Sequence, residues 1–120
     1  MVRAIALLSL CFVLGAPALA DEATMNAEID YLLDTVAASD CTFIRNGKEH
    51  GPEAARDHLS LKRRKGKKYF STTEEFIERL ASSSSWTGKP YRIRCGDGEA
   101  QLAKTWFNGV LQEYRSTHPD

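Results

Sequence analysis

Two short polar segments of the chain contain residue types that bind anions. The first, FIRNG, carries Arg45 and Asn46, and the second, SSSSWTGKPY, carries Lys89. A guanidinium group matches the geometry of a carboxylate or phosphate, and a glycine-containing loop lets backbone N–H groups approach an anion closely. The candidate ligand-binding positions in these segments are Arg45, Asn46, Ser84, Ser85, Gly88, Lys89 and Tyr91.

Aromatic residues accompany this candidate surface. Trp86 and Tyr91 offer rings of the kind on which sugars and peptides stack. The alternative interpretation is purely structural, because Arg45 and the serines are also suitable for tying a strand end to a loop. Gly88 and Pro90 are typical of a loop, so we expect the serine run to be an ordered connection rather than a linker between domains.

Serine-based catalysis is a second hypothesis. A serine needs a positioned base to act as a nucleophile, and His58 or Lys89 are the candidates for pairing with Ser84 or Ser85. However, the chain has neither a G-x-S-x-G elbow nor an S-x-x-K motif at these serines. His58 is also explained as a half-buried, hydrogen-bonded histidine, so no catalytic residue is assigned.

The sequence predicts neither a metal site nor a cofactor. His50, Glu53, Asp57 and His58 are close in sequence but do not match H-E-x-x-H, and Pro52 separates His50 from the following helix.

Charge is concentrated locally rather than globally. The chain has 16 basic and 16 acidic residues, so its net charge does not favour nucleic acid as a partner. The block 62–68, KRRKGKK, has six basic residues and can face an anionic lipid or an acidic partner. Alternatively, it is a solvated helix end whose charges favour the helix dipole, or it is balanced by the segment 21–44, which has six acidic residues and no basic residue.

The first 20 residues are typical of a secretory signal peptide. Arg3 precedes an apolar run that is shorter than the roughly 20 residues needed to span a bilayer, and Ala18-Leu19-Ala20 matches a cleavage site. We therefore expect cleavage after Ala20, an exported mature protein, and no transmembrane segment in that mature chain. Residues 21–120 are then one small globular domain.

An exported domain with two cysteines, Cys41 and Cys95, is expected to form one disulfide.

Apolar spacing predicts four helices. They cover Met25–Ala38, the segment from Pro52 to about Gly66, the segment after the Thr72–Glu75 capping box, and about Leu102–Arg115. Strands are predicted in CTFIRNG, where the β-favouring residues Thr42, Phe43 and Ile44 precede a turn at Asn46-Gly47, and in KPYRIRC. The predicted fold is α+β, with about four helices packed on a two-stranded antiparallel ribbon. If Cys41 faces Cys95, then Phe43 lies beside Ile93 and Arg45 lies beside Tyr91.

The segments FIRNG, EAARDHLSLK and TTEEFIERLASSSSWTGKPY resemble the YfeK-like family of small exported bacterial proteins, a family with a domain of unknown function. The resemblance covers roughly residues 29–106. It implies a periplasmic location in Gram-negative bacteria, and it implies no activity, substrate or cofactor. The matching positions add Gly47, His58 and Lys62 to the candidate ligand-binding surface.

Three classes of function follow from the sequence. The first is a periplasmic binding or interaction protein that uses the surface around Arg45 and Lys89 for an anionic ligand, a glycan or an envelope protein. The second is a small hydrolase-like enzyme that uses a serine with His58 or Lys89. The third is a structural or accessory envelope protein without a ligand. We expect the first of these classes.

Overall fold

The computed structural model describes residues 17–119, with side chains described from Asp21 onward. Its elements in chain order are α1 Pro17–Ala38, β1 Cys41–Arg45, β2 Lys48–His50, α2 Pro52–Lys65, a short 3-10 helix Lys67–Tyr69, α3 Thr73–Arg79, β3 Arg92–Cys95, β4 Gln101–Leu102 and α4 Ala103–Thr117. Most of the predicted signal peptide lies outside the described residues. None of the helices within 17–119 has the length and apolar character that crossing a membrane requires.

The sheet is larger than the sequence predicted. Four antiparallel strands lie in the order β2-β1-β3-β4, so the prediction of a two-stranded ribbon was wrong. The central pair has the predicted register, with Cys41 opposite Cys95 and Phe43 opposite Ile93. This ladder ends at the pair Ile44–Arg92, one position before the predicted Arg45–Tyr91 neighbours.

The missed strand β2 follows a two-residue hairpin turn. Asn46 has φ 51° and Gly47 has φ 77°, and two successive left-handed residues form the turn that matches the twist of paired strands. Lys48 therefore returns opposite Arg45, and His50 lies opposite Phe43. Asn-Gly is a strong hairpin signal, but the polar residues after it lack the apolar alternation that marks a strand.

The helices cover one face of this sheet. Phe43 on β1 and Ile93 on β3 are buried beneath them, whereas Arg94 and Glu49 form an ion pair on the other face. α1 packs against α2, α3 and α4. The buried helix residues recur at helical spacing, as predicted: Ile29, Leu32, Leu33, Val36, Ala55, Leu59, Phe76, Ile77, Ala103, Phe107, Val110 and Leu111.

Local signals explain where α2 and α3 begin. Pro52 occupies the first turn of α2, where its missing N–H would have no helical partner. Thr72 caps α3 by accepting a hydrogen bond from the Glu75 backbone N–H at 3.0 Å, as the capping box predicts. Gly66 follows α2, and a Cβ there would lie 2.8 Å from the Lys62 carbonyl oxygen and 2.9 Å from Leu80 Cδ1. The backbone contact cannot give way as a side chain can, so the end of α2 requires glycine.

A buried carboxylate joins three helices, and sequence reasoning did not find it. Glu28 on α1 is 5% exposed and accepts hydrogen bonds from Thr73 on α3 at 2.6 Å and from Arg115 on α4 at 2.7 Å. Arg115 also bonds Glu74. The bonds from Arg115 hold the pKa of Glu28 below its usual range, because they stabilise the charged carboxylate. The helices are thus fixed by a satisfied polar cluster as well as by apolar packing.

The basic block is partly balanced by the acidic first helix, which was one of the predicted alternatives. Arg63 on α2 pairs with Asp30 on α1 at 2.6 Å, and it also donates to the side chain of Asn26 at 3.2 Å.

Loss of the Cys41–Cys95 disulfide should lower the free energy of unfolding by about 4 kcal/mol. The bond joins residues 54 apart in sequence, and the closed loop restricts the unfolded chain. We expect the Cys41→Ala/Cys95→Ala variant to unfold at a lower urea concentration than the oxidised protein. Equal urea midpoints for the two proteins would contradict this expectation.

Candidate functional site

The serine run is an ordered loop, as predicted. Its two ends are paired through the bridge Ser83–Pro90 and through the hydrogen bond from the Tyr91 N–H to the Ser82 carbonyl, at 2.9 Å. The tip is closed by two further backbone bonds, from the Ser84 N–H to the Lys89 carbonyl and from the Gly88 N–H to the Ser84 carbonyl. The loop therefore continues the chain directly into β3 as a closed hairpin-like structure.

Ser84 attaches this loop to the β1–β2 turn. Its buried Oγ accepts hydrogen bonds from Asn46 Nδ2 at 3.3 Å, from the Trp86 N–H at 3.2 Å and from the Thr87 N–H at 3.3 Å. Thr87 Oγ1 donates to Asn46 Oδ1 at 2.7 Å. The serine loop therefore lies against the Arg45-Asn46-Gly47 turn, because the amide side chain of Asn46 links the two segments.

A cleft of about 460 Å³ lies between this loop, the β1–β2 hairpin and α2. Its lining residues are Arg45, Asn46, Lys48, His50, His58, Lys62, Ser84, Ser85, Trp86 and Tyr91. Seven of the ten predicted site residues are among them. The other three, Gly47, Gly88 and Lys89, lie in the adjoining turns and do not line the cleft.

Sequence reasoning missed Lys48 and His50. Both are on β2, opposite Arg45 and Phe43 respectively, so both face the helix-covered side of the sheet. The Asn46-Gly47 turn was predicted, but the returning strand was not, because the polar residues after the turn lack the apolar alternation of a strand.

The cleft is strongly basic, and none of the described residues that line it is acidic. Its lining includes Arg45, Lys48 and Lys62 together with two histidines, but no aspartate or glutamate. None of the ion pairs formed among residues 21–119 includes any of these three cations. Within residues 21–119, this concentration of positive charge therefore has no carboxylate partner.

Tyr91 connects the cleft to the core. Its ring is 2% exposed and packs edge-on against Phe43, so it does not provide the stacking surface that the sequence suggested. Its hydroxyl lies 3.3 Å from His58 Nε2 and 3.1 Å from Lys62 Nζ. Lys62 Nζ also donates to the Ser83 carbonyl at 3.1 Å. By contrast, Trp86 is 96% exposed and remains available for stacking.

Burial shifts the pKa values of this group toward neutral forms. Desolvation lowers the pKa of Lys62 to about 8, with a further contribution from the charge of Arg45. Desolvation also lowers the pKa of His58 to about 4, assisted by Arg45, Lys62 and His50. The same cause raises the pKa of Tyr91, so its hydroxyl keeps its proton. A neutral His58 can accept from the Tyr91 hydroxyl, which in turn accepts from Lys62.

The geometry does not support a serine nucleophile. The acceptor capacity of Ser84 Oγ is used by the loop itself, and the hydrogen-bond partner of His58 is Tyr91 rather than a serine. Lys89, the other proposed base, lies outside the cleft lining. Within residues 17–119, no three side chains of the His, Cys, Asp or Glu type are grouped so that they could hold a metal ion.

A larger cavity of about 680 Å³ lies between α1, α3 and α4. It is lined by Glu28, Glu74 and Arg115, which already satisfy one another through ion pairs. We regard the smaller cleft as the candidate site, because its charges lack such internal partners.

Fold and site together define a small disulfide-bonded α+β protein with a basic cleft. Over residues 23–115 the chain matches the model of a family of unknown function, DUF5329, and it belongs to that family. It is also similar to the uncharacterised protein YfeK of Salmonella typhimurium strain LT2, with 45% identity over 71 residues. That match covers 59% of this chain and 57% of the relative. No solved structure matches the chain.

His58 should make stability fall in mild acid. Its pKa in the folded protein is about 4, against about 6.5 when unfolded, so only the unfolded chain gains this proton between those values. The contribution of neutral His58 to the free energy of unfolding is fully present above pH 6.5 and is lost as the pH falls toward 4. The wild-type protein should lose free energy of unfolding between pH 7 and pH 4.5. After allowance for solvent screening, we expect this loss to be smaller by about 1–2 kcal/mol in His58→Gln.

Urea unfolding at pH 7 and pH 4.5 measures this difference. His118→Gln is the matched control, since His118 is exposed at the end of α4 and lies outside the cleft. An unchanged pH dependence in His58→Gln would contradict the assignment.

Proposed function

We propose that this protein is an exported binding protein that takes a small anionic ligand into the cleft between the β1–β2 hairpin, α2 and the serine loop. The observation that carries the proposal is the set of three cations, Arg45, Lys48 and Lys62, in a concave site that no carboxylate lines among the residues with described side chains. A bound anion would supply the missing negative charge.

The burial of Lys62 favours a ligand over a purely structural role for this cation. Burial of a charge is unfavourable unless the charge is paired, and the lowered pKa of Lys62 reports that cost directly. Tyr91 and the Ser83 carbonyl give Lys62 hydrogen bonds but no negative charge. Residues that lower the stability of the folded protein without contributing to folding are typical of functional sites.

The lining also indicates the class of ligand. Arg45 matches the two oxygens of a carboxylate or phosphate group, with Lys48 and Lys62 as additional point charges. Trp86 stands exposed beside the cleft, and a ring of this kind stacks on sugars and planar groups. We therefore expect a small organic anion with a sugar or planar ring next to its charged group.

Two features support an exported, periplasmic location. The first 20 residues have the pattern of a signal peptide, and disulfides such as Cys41–Cys95 persist mainly in oxidising compartments. The known bacterial relative is consistent with a bacterial origin.

The anion site is tested by thermal unfolding of the oxidised protein with phosphate, citrate and a sugar phosphate at constant ionic strength. A ligand at five times its Kd should add about 1 kcal/mol of stability and raise Tm by about 5 °C. Arg45→Met and Lys48→Met should abolish the rise caused by any anion that binds.

Lys89→Met is the matched control, since it removes the same charge from a residue outside the cleft lining. A Tm rise that Lys89→Met reduces as much as Arg45→Met would reflect general charge screening and would contradict a site. The absence of any rise with all three anions would also count against the proposal.

A further inference from the structure

We propose that Lys62 Nζ is a nucleophilic amine that forms an imine with an aldehyde or ketone carrying an anionic group. This inference rests on the proposed function for the anionic part of the ligand. The reactivity of the amine has its own basis in the geometry around Nζ.

The hydrogen bonds of Lys62 orient its amine. Nζ donates to the Ser83 carbonyl and to the Tyr91 hydroxyl, each at 3.1 Å. A neutral amine has two N–H donors and one electron pair, so these two acceptors use both hydrogens. The electron pair then occupies a remaining tetrahedral direction, and Lys62 itself lines the cleft. A carbonyl carbon that approaches along this direction displaces neither hydrogen-bond partner of Nζ.

The charges around Lys62 favour the neutral, reactive form. Arg45 on β1 and Lys48 on β2 share the cleft with it, and His50, His58 and Tyr91 are the titratable groups of the same lining. The pKa of Lys62, lowered to about 8 by burial and by Arg45, agrees with this geometry. Desolvation beside another cation is a known way in which proteins activate a lysine for imine formation.

The reaction balances without an oxidant or reductant. The nitrogen electron pair forms the new C–N bond as the carbonyl π bond breaks toward oxygen. Both hydrogens of the neutral amine are transferred to that oxygen, which leaves as water. The Tyr91 hydroxyl, 3.1 Å from Nζ and 3.3 Å from His58 Nε2, is placed to relay these protons.

The anionic group gives the ligand its orientation. Because Arg45 and Lys48 lie in the same lining as Lys62, a carboxylate or phosphate bound by them holds a nearby carbonyl beside the amine. A 2-oxo acid, or an aldehyde with a neighbouring carboxylate, has this chemistry.

The test traps the imine. Oxidised protein is incubated at pH 7.5 with glyoxylate, a carboxylate-bearing aldehyde, or with acetaldehyde, a neutral one. Borohydride then reduces any imine to a stable secondary amine, and peptide mass spectrometry locates it. Lys65, Lys67 and Lys68 are exposed lysines close in sequence and serve as internal controls.

Lys62 should be trapped at least about tenfold faster than the control lysines with either aldehyde, since burial lowers its pKa to about 8 and part of it is neutral at pH 7.5. Its trapping rate should rise with a midpoint near pH 8. Glyoxylate should label Lys62 more strongly than acetaldehyde does, relative to the control lysines, and Arg45→Met should remove that preference.

Equal trapping of Lys62 and the control lysines with both aldehydes would overturn the proposal. Fast trapping by acetaldehyde without a preference for glyoxylate would support the amine but overturn the anionic part of its substrate, and it would count against the proposed anion site. The two failures are therefore distinguishable.

Discussion

The burial of Tyr91 is the constraint on which both fold and site depend. A buried tyrosine ring must pack, and its hydroxyl must find a hydrogen-bond partner. Here the ring contacts Phe43 in the core, while the hydroxyl contacts His58 and Lys62 on α2. The Tyr91 backbone bonds Ser82 in the loop and Ala103 at the start of α4. One residue thus holds the loop, the sheet and two helices around the cleft.

The rigidity of the cleft wall has a second source in Ser84 and Asn46. Their side chains join the tip of the serine loop to the β1–β2 turn, whose left-handed residues are themselves conformationally restricted. A loop of serines, usually flexible, is therefore held by hydrogen bonds at both its base and its tip. Such preorganisation lowers the entropic cost of binding a ligand.

The two charged clusters differ in whether their charges are paired. Glu28, Glu74 and Arg115 form a closed set of ion pairs that stabilises the contact of α1, α3 and α4. Arg45, Lys48 and Lys62 have no such counterpart in the part of the chain with described side chains. The first cluster is explained by folding alone. In the second cluster, burial and the nearby charge of Arg45 disfavour the charged form of Lys62, and this cost is the physical basis for assigning the cluster a ligand.

The sequence by itself determined the features that depend on local or short-range physics. Apolar periodicity predicted the four main helices, the Thr72–Glu75 box predicted the start of α3, and the cysteine pair predicted the register of β1 against β3. The tertiary structure alone decided which polar residues meet. Lys48 and His50 entered the site through a hairpin whose returning strand lacks apolar alternation, Lys89 was excluded, and Glu28 met an arginine 87 residues away. These contacts depend on how distant elements pack, and neither propensity nor spacing encodes that packing at any single residue.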